Sequence, residues 1–110
     1  MDAKVGIDAG VCGFHTAAQA SSDDGPNVTF RVESGCEKIR TAASALVSRG
    51  PVDAYQEIAP EGDSVLLGTM RGALKSCCAG CVVPSGLFKL MQVCAGLALP
   101  KDIVLKMSCD

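Results

Sequence analysis

The 110-residue sequence is poor in aromatic residues, with no Trp, one Tyr and three Phe. Proteins that bind single-stranded nucleic acid stack the bases on such side chains, so this sequence offers no stacking platform. Charge of one sign is also scarce, because ten basic and twelve acidic residues leave a formal net charge of -2. We therefore expect neither a nucleic acid nor an acidic lipid surface as a partner.

An uninterrupted apolar run is missing as well. The most apolar region, residues 77–99, contains Pro84, Lys89 and Gln92, whereas a membrane-spanning helix needs about 20 predominantly apolar residues. The first five residues have neither the basic region nor the apolar run of a signal peptide. We expect a single domain over residues 1–110, located in the cytoplasm and without a membrane partner.

Cysteine is the residue type that is present in excess, at seven of 110 residues. In a reducing compartment cysteines more often bind metal or perform redox chemistry than form structural disulfides. The odd number also excludes complete pairing within one chain. The cysteines are therefore the first place to look for a function.

Alternation of apolar and polar residues predicts strands at both ends of the chain. Residues 3–8 and 28–33 alternate clearly, and residues 14–20 form a third candidate strand between them. The polar loop at 21–27 would connect two of these strands. Residues 103–107 alternate in the same way and predict a last strand.

Apolar residues at helical spacing predict helices in the middle of the chain. Ser34 and Glu37 form a capping box, which would make Ser34 the N-cap of the first helix and place Cys36 in its first turn. Helical segments are also expected at 52–58 and 65–75. An irregular connection then leads to a helix that starts at Pro84 and ends at Pro100. The expected fold is α+β, a small antiparallel sheet of three or four strands with helices packed on one face.

Three cysteines lie at the ends of predicted elements. Cys12 is in the turn after the first strand, Cys36 opens a helix, and Cys81 precedes the last helix. Such positions let backbone N–H groups point at sulfur, which favours the thiolate form and tunes a bound metal. Three thiolates leave one position open on a tetrahedral zinc ion or a two-iron cluster. An external ligand could complete the set, and so could His15, Cys78 or Asp8.

The order and spacing of these cysteines resemble those of IscU/NifU-type iron–sulfur cluster scaffolds. The resemblance rests on Cys12-Gly13, on Gly35-Cys36 before an Ala/Ser-rich helix, and on Cys81 before the last long helix. It implies an IscU/NifU-like fold, with these three cysteines binding an iron–sulfur cluster or zinc. It also implies a scaffold or carrier role, rather than catalysis, and partner proteins that donate or accept the cluster.

Beside the cysteines, the chain departs from that pattern at two places. The scaffolds carry Asp soon after the first cysteine, where this chain has Phe14 and His15, and His before the third, where it has Gly80. The sequence also resembles a small prokaryotic family of uncharacterised proteins with a Cys-Gly-Phe and a Cys-x-x-Pro motif, here at 12–14 and 81–84.

Two other functions remain open at this point. The protein could be a thiol redox protein or cysteine-dependent enzyme, with Cys36 as nucleophile and Cys81 or Cys78 as the resolving thiol. It could also be a metal-free interaction module whose cysteines only pack. Cys94 lies on an apolar helix stripe and is expected to be buried, and Cys109 is expected to be exposed. Cys77 and Cys78 are adjacent and are not expected both to face one site.

Overall fold

The computed structural model describes residues 1–59 and 61–110. Its elements in chain order are β1 (Asp2–Asp8), β2 (His15–Ser21), β3 (Asn27–Ser34), α1 (Glu37–Ser48), β4 (Val52–Asp53), α2 (Ala54–Glu57), α3 (Val65–Gly72), a 3-10 helix (Ser76–Gly80) and α4 (Val83–Cys94). The strands form one antiparallel sheet in the order β1-β2-β3-β4. The predicted α+β fold is thereby confirmed.

One face of the sheet is buried and the other is open to solvent. In β2, Thr16, Ala18 and Ala20 are buried while the alternate residues are exposed, as the two-residue period of a strand requires. The neighbouring strands extend the same buried layer through Ala3, Val5, Ile7, Val28, Phe30 and Val32.

The helices α1, α3 and α4 pack together on the buried face. α1 contacts β3 and α3, and α4 contacts β1, β2 and α3. The apolar stripe predicted for the last helix is buried at Leu87, Leu90, Met91 and Cys94. A Cβ at Gly86 would lie 2.5 Å from Cδ1 of Ile7. The absence of a side chain there lets α4 approach β1 closely.

The turn between β2 and β3 is held by the side chain of Asp24. Its carboxylate accepts hydrogen bonds from the backbone N–H of Asn27 at 3.0 Å and from the Asn27 side-chain amide at 2.7 Å. These hydrogen bonds lower the pKa of Asp24, because they favour its charged form.

The buried carboxylate of Glu57 caps the start of α3. It accepts hydrogen bonds from the Ser64 hydroxyl at 2.8 Å and from the backbone N–H groups of Val65 and Leu66 at 2.9 and 2.7 Å. Ser64 is itself the N-cap, and its hydroxyl accepts the N–H of Leu67. The first N–H groups of α3 therefore find partners inside the protein.

The predicted capping box at the start of α1 is wrong. The helix begins at Glu37 with Cys36 as N-cap, and no side chain caps it. Ser34 belongs to β3, where it lies opposite Thr16, and its hydroxyl is hydrogen-bonded to the Thr16 hydroxyl at 2.8 Å. The hydroxyl also accepts the N–H of Cys36, but it caps no N–H inside the helix.

The predicted strand at 103–107 is also wrong. Residues 99–110 have no secondary structure, and residues 101–110 are all exposed. A strand needs a neighbour for its backbone groups, and none lies beside this segment within the described part of the chain. The last helix ends at Cys94 rather than Pro100, because Gly96 adopts a left-handed conformation with φ +77°.

The 3-10 helix and α4 together, Ser76–Cys94, are long and apolar enough to cross a membrane by length and composition. The core helix of a compact protein meets the same criterion, and six residues of α4 are buried. The radius of gyration is 13.6 Å, close to the value of about 13 Å for a globular domain of about 100 residues. The segment is therefore weak support for a membrane span.

Candidate functional site

Cys36 lies at the junction between β3 and α1. Its backbone N–H donates to the Ser34 hydroxyl at 3.1 Å, and its carbonyl accepts the N–H of Arg40 at 3.0 Å. The Arg40 guanidinium also donates to the Ser34 carbonyl at 2.9 Å. The thiol is half-buried against the core and makes no capping hydrogen bond. The backbone around Cys36 is thus fixed while its sulfur has no hydrogen-bonding role in the helix.

Cys12 is exposed in the loop between β1 and β2. Gly10 and Gly13 both have left-handed backbone conformations, with φ +90° and +75°, which glycine adopts at little cost. The N–H of Gly13 donates to the Gly10 carbonyl at 2.9 Å. The loop therefore turns sharply and presents Cys12 to solvent.

This loop lies against the residue that precedes Cys36. The N–H of Gly35 donates to the His15 carbonyl at 3.3 Å, and a Cβ at Gly35 would lie 3.1 Å from the Phe14 ring. Cys12 and Cys36 are therefore on neighbouring segments at one end of the sheet.

Cys78 and Cys81 lie on the 3-10 helix and just after it, and both are half-buried. The Cys81 N–H donates to the Cys78 carbonyl at 3.0 Å, so one turn of chain separates them. The Lys38 ammonium, from the first turn of α1, lies 3.8 Å from the Cys78 sulfur. This contact places the 3-10 helix beside the start of α1, where Cys36 is the N-cap.

The structure therefore brings the cysteine-bearing segments 9–14, 34–38 and 76–81 to the same end of the molecule. It does not assemble a finished metal site: within residues 1–59 and 61–110, no group of three or more His, Cys, Asp or Glu side chains is placed to hold a metal ion. Thiols are suitable donors for zinc and for iron–sulfur clusters. The type of donor therefore fits such a centre, but the distances between the thiols do not.

His15 and Asp8, the other side chains considered as ligands, face each other. His15 Nδ1 lies 2.8 Å from a carboxylate oxygen of Asp8, and both residues are exposed on the open face of the sheet. The half-buried thiols of Cys36, Cys78 and Cys81 instead pack against the core. The ring and the thiols are thus on different surfaces.

The remaining cysteines differ in burial. Cys94 is buried as predicted, its thiol donates to the Met1 carbonyl at 3.2 Å, and burial raises its pKa. Cys109 is exposed as predicted, and Cys77 is exposed beside Cys78.

Lys38 is the site residue that the sequence reasoning missed. Acidic residues are the usual choice in the first turn of a helix, because they complement the positive end of the helix dipole. Glu37 fills that role in α1, and Lys38 follows it. No local pattern marks Lys38, because its partner Cys78 is 40 positions away.

Comparison with known proteins identifies one family. A family model described as a family of unknown function, DUF6951, matches residues 3–107. No curated protein and no solved structure matches the chain.

Proposed function

Because the chain belongs to DUF6951, a family of unknown function, we propose its function from the arrangement of its thiols. The protein is a scaffold or carrier that holds an iron–sulfur cluster or a zinc ion as cargo. Cys12, Cys36 and Cys81 are the primary ligands, and Cys78 is available as the fourth. IscU/NifU-type scaffolds use the same order of cysteines.

The contact between Lys38 and Cys78 is the observation that carries this proposal. These residues are 40 positions apart in the sequence, yet the ammonium lies 3.8 Å from the sulfur. A cation at this distance suits a thiolate-bound metal centre, which carries negative charge. The contact also joins the segment with Cys78 and Cys81 to the helix start with Cys36.

Cys12 has the role of closing the site. Its loop leaves the thiol in solvent, next to the exposed side chains of Val11 and Phe14. In the proposed bound state the loop brings Cys12 to cargo that Cys36 and Cys81 already hold. The ligand set is then complete only with cargo present, as in many small metal-binding proteins.

Partners and location follow from this role. A carrier needs proteins that donate and accept its cargo, and exposed Val11 and Phe14 provide an apolar contact surface around the ligand on the loop. Free thiols at all seven cysteines fit a reducing compartment such as the cytoplasm.

Anaerobic reconstitution tests the proposal. Purified protein is incubated with ferrous iron and sulfide, or with zinc, and bound metal is measured by elemental analysis and absorption spectroscopy. We expect stoichiometric binding. Serine substitution of Cys12, Cys36 or Cys81 should weaken it by about tenfold or more, since each removes a ligand.

Two neighbouring cysteines supply the matched control for this experiment. Cys78→Ser should weaken binding, while Cys77→Ser, one residue away on the exposed side, should leave it unchanged. Cys109→Ser should also have no effect. Equal losses at all of these positions, or no metal bound by the unsubstituted protein, would contradict the proposal.

A thiol redox protein is the second candidate, and the placement of Lys38 favours it too. Cys78 and Cys81 have the Cys-x-x-Cys spacing of dithiol oxidoreductases. In place of the nucleophile expected from the sequence, Cys36, we propose that Cys78 beside the ammonium attacks a disulfide substrate. Cys81 then displaces the substrate from the mixed disulfide, so that the substrate is reduced and this pair is oxidised. Trapping a mixed disulfide in Cys81→Ser, with no metal bound to the unsubstituted protein, would select this function.

A further inference from the structure

The segment 101–110 is apolar, extended and without contacts that would shield it. Ile103, Val104, Leu105 and Met107 are 59, 70, 67 and 92% exposed. In the described part of the chain, no hydrogen bond joins this segment to the body of the protein. The family match extends to residue 107, so most of the segment belongs to the family sequence. Exposed apolar residues of this density mark an interaction surface.

The strand β1 is an edge of the sheet, because it pairs only with β2 in the described residues. Met1 and Ser22 exchange both of their backbone hydrogen bonds, and such pairs recur at every second residue of an antiparallel ladder. Asp2, Lys4, Gly6 and Asp8 alternate with the residues of β1 that are hydrogen-bonded to β2. Their N–H and C=O groups therefore point away from β2. These groups can accept another strand.

The exposed segment matches this edge in both shape and charge. In a parallel register that places Asp102 beside Lys4, Lys106 lies beside Asp8 on the open face. Ile103 then lies beside Val5, on the face that the helices cover. Sliding the segment by two residues in either direction removes both opposite-charge pairs, which are the interactions that fix a cross-strand register.

The position of the segment favours exchange between two molecules. Pro100 and residues 1–4 line one cavity of about 1020 Å³, so the segment leaves the body beside the start of its own β1. It then extends away, and the molecule measures 45 Å along its longest axis against 27 Å along the others. Two copies that meet along their β1 edges can therefore exchange these segments over a short distance.

We propose that residues 102–108 form a fifth strand on the β1 edge of a second copy, in a reciprocal exchange that makes a symmetric dimer. A symmetric exchange buries the same apolar residues twice and covers both edges. The paired segments, residues 4–10 and 102–108, contain no cysteine, so the dimer should form without bound metal although the added strand ends beside the loop that carries Cys12.

Sedimentation equilibrium under reducing conditions tests the dimer without interference from disulfides. We expect the full chain to have twice its chain mass of 11.3 kDa, and the chain without residues 101–110 to be a monomer. Lys4→Pro removes one outward N–H from the edge and should also give a monomer, whereas Lys4→Ala should stay dimeric. A monomeric full chain or a dimeric truncated chain would overturn the proposal.

Mixing the two monomeric variants separates exchange between copies from docking within one chain. The truncated chain has a free edge and the Lys4→Pro chain has a free segment, so together they should form a heterodimer with one exchanged strand. Failure to form it would overturn the exchange.

A charge reversal keeps the test valid if Lys4→Pro does not fold. Lys4→Glu should raise the dimer Kd about three- to tenfold, and adding Asp102→Lys should restore it, because the opposite-charge pair is recreated. An equal Kd for all three proteins would overturn the proposed register.

Discussion

Glu57 connects α2 to α3 through one buried side chain. The residue is 6% exposed, and its carboxylate accepts three hydrogen bonds at the start of α3. Hydrogen bonds to a charged acceptor are stronger than those to a neutral one, and a buried donor that loses its partner pays its full desolvation penalty. The side chain is therefore placed to control the local stability of the helix.

We expect Glu57→Gln to lower the free energy of unfolding by about 1 to 3 kcal/mol. The glutamine amide carries no negative charge. Its NH₂ group would also face the N–H groups at the start of α3, which need an acceptor. The matched control is Glu61→Gln, an exposed acid near the same helix, which should change the stability by less than about 0.5 kcal/mol. Urea unfolding followed by circular dichroism measures both, and equal effects would show that the cap does not matter.

Cys94 predicts a pH dependence of stability. Burial raises its pKa above the ordinary thiol value, so above about pH 8.5 the unfolded chain loses this proton while the folded chain keeps it. Stability should therefore fall as the pH rises from there toward the folded pKa, by at most about 1.4 kcal/mol per pH unit.

The alanine variant isolates this effect. Cys94→Ala should be less stable at neutral pH, because it leaves a cavity, but its stability should decline less steeply between pH 8 and 10. Urea titrations at several pH values in the presence of a reductant give the two slopes. Parallel slopes would mean that another group causes the alkaline loss.

The close approach of α4 to β1 depends on a glycine. A Cβ at position 86 would lie 2.5 Å from Cδ1 and 3.2 Å from Cγ1 of the buried Ile7. Gly68 in α3 is exposed and would meet nothing within 4 Å. The two glycines occupy helices of the same layer in opposite environments.

We expect Gly86→Ala to destabilise the protein by about 1 to 3 kcal/mol through overpacking. Gly68→Ala should stabilise it by about 0.5 to 1 kcal/mol, because alanine is the better helix former. Ile7→Val removes the Cδ1 atom that the new Cβ would meet. The double variant with Gly86→Ala should therefore lose less stability than the sum of the losses in the two single variants. Thermal unfolding of the four variants measures this, and simple additivity would contradict the contact.

Local patterns explain which elements could be predicted from the sequence. Three strands and the buried stripes of α1 and α4 follow from alternation and helical spacing over 6 to 12 residues. The two residues of β4 are too few to form a pattern. The start of α1 was misassigned because Thr16, on another strand, holds the hydroxyl of Ser34. The segment 103–107 has the pattern of a strand but lacks a partner strand within its own chain.

The candidate site depends on longer-range packing than these patterns describe. Placing cysteines at the ends of elements needs only local sequence, whereas the contact between Lys38 and Cys78 joins residues 40 positions apart. That contact arises from the packing of α3 against α1, which brings the chain back to the start of α1. The sequence alone could therefore name the thiols but not their distances.

At the scale of the whole molecule, residues 101–110 are all exposed and contribute nothing to the buried core. We expect removal of this segment to change the melting temperature by less than about 1 °C at dilutions where both proteins are monomers, since no buried contact is lost. Scanning calorimetry over a dilution series checks this. A lower melting temperature of the truncated monomer would mean that the segment docks on its own chain.

The short length of β4 affects how the protein resists aggregation. It pairs only with Asn27 and Val28, so the outer border of β3 beyond them has no neighbouring strand in the part of the chain described. Arg31 and Glu33 project from this border on the solvent side, and charged side chains there discourage stacking into fibrils. We expect neutral β-branched residues in their place to make this border more prone to amyloid-like growth, measured as faster fibril formation.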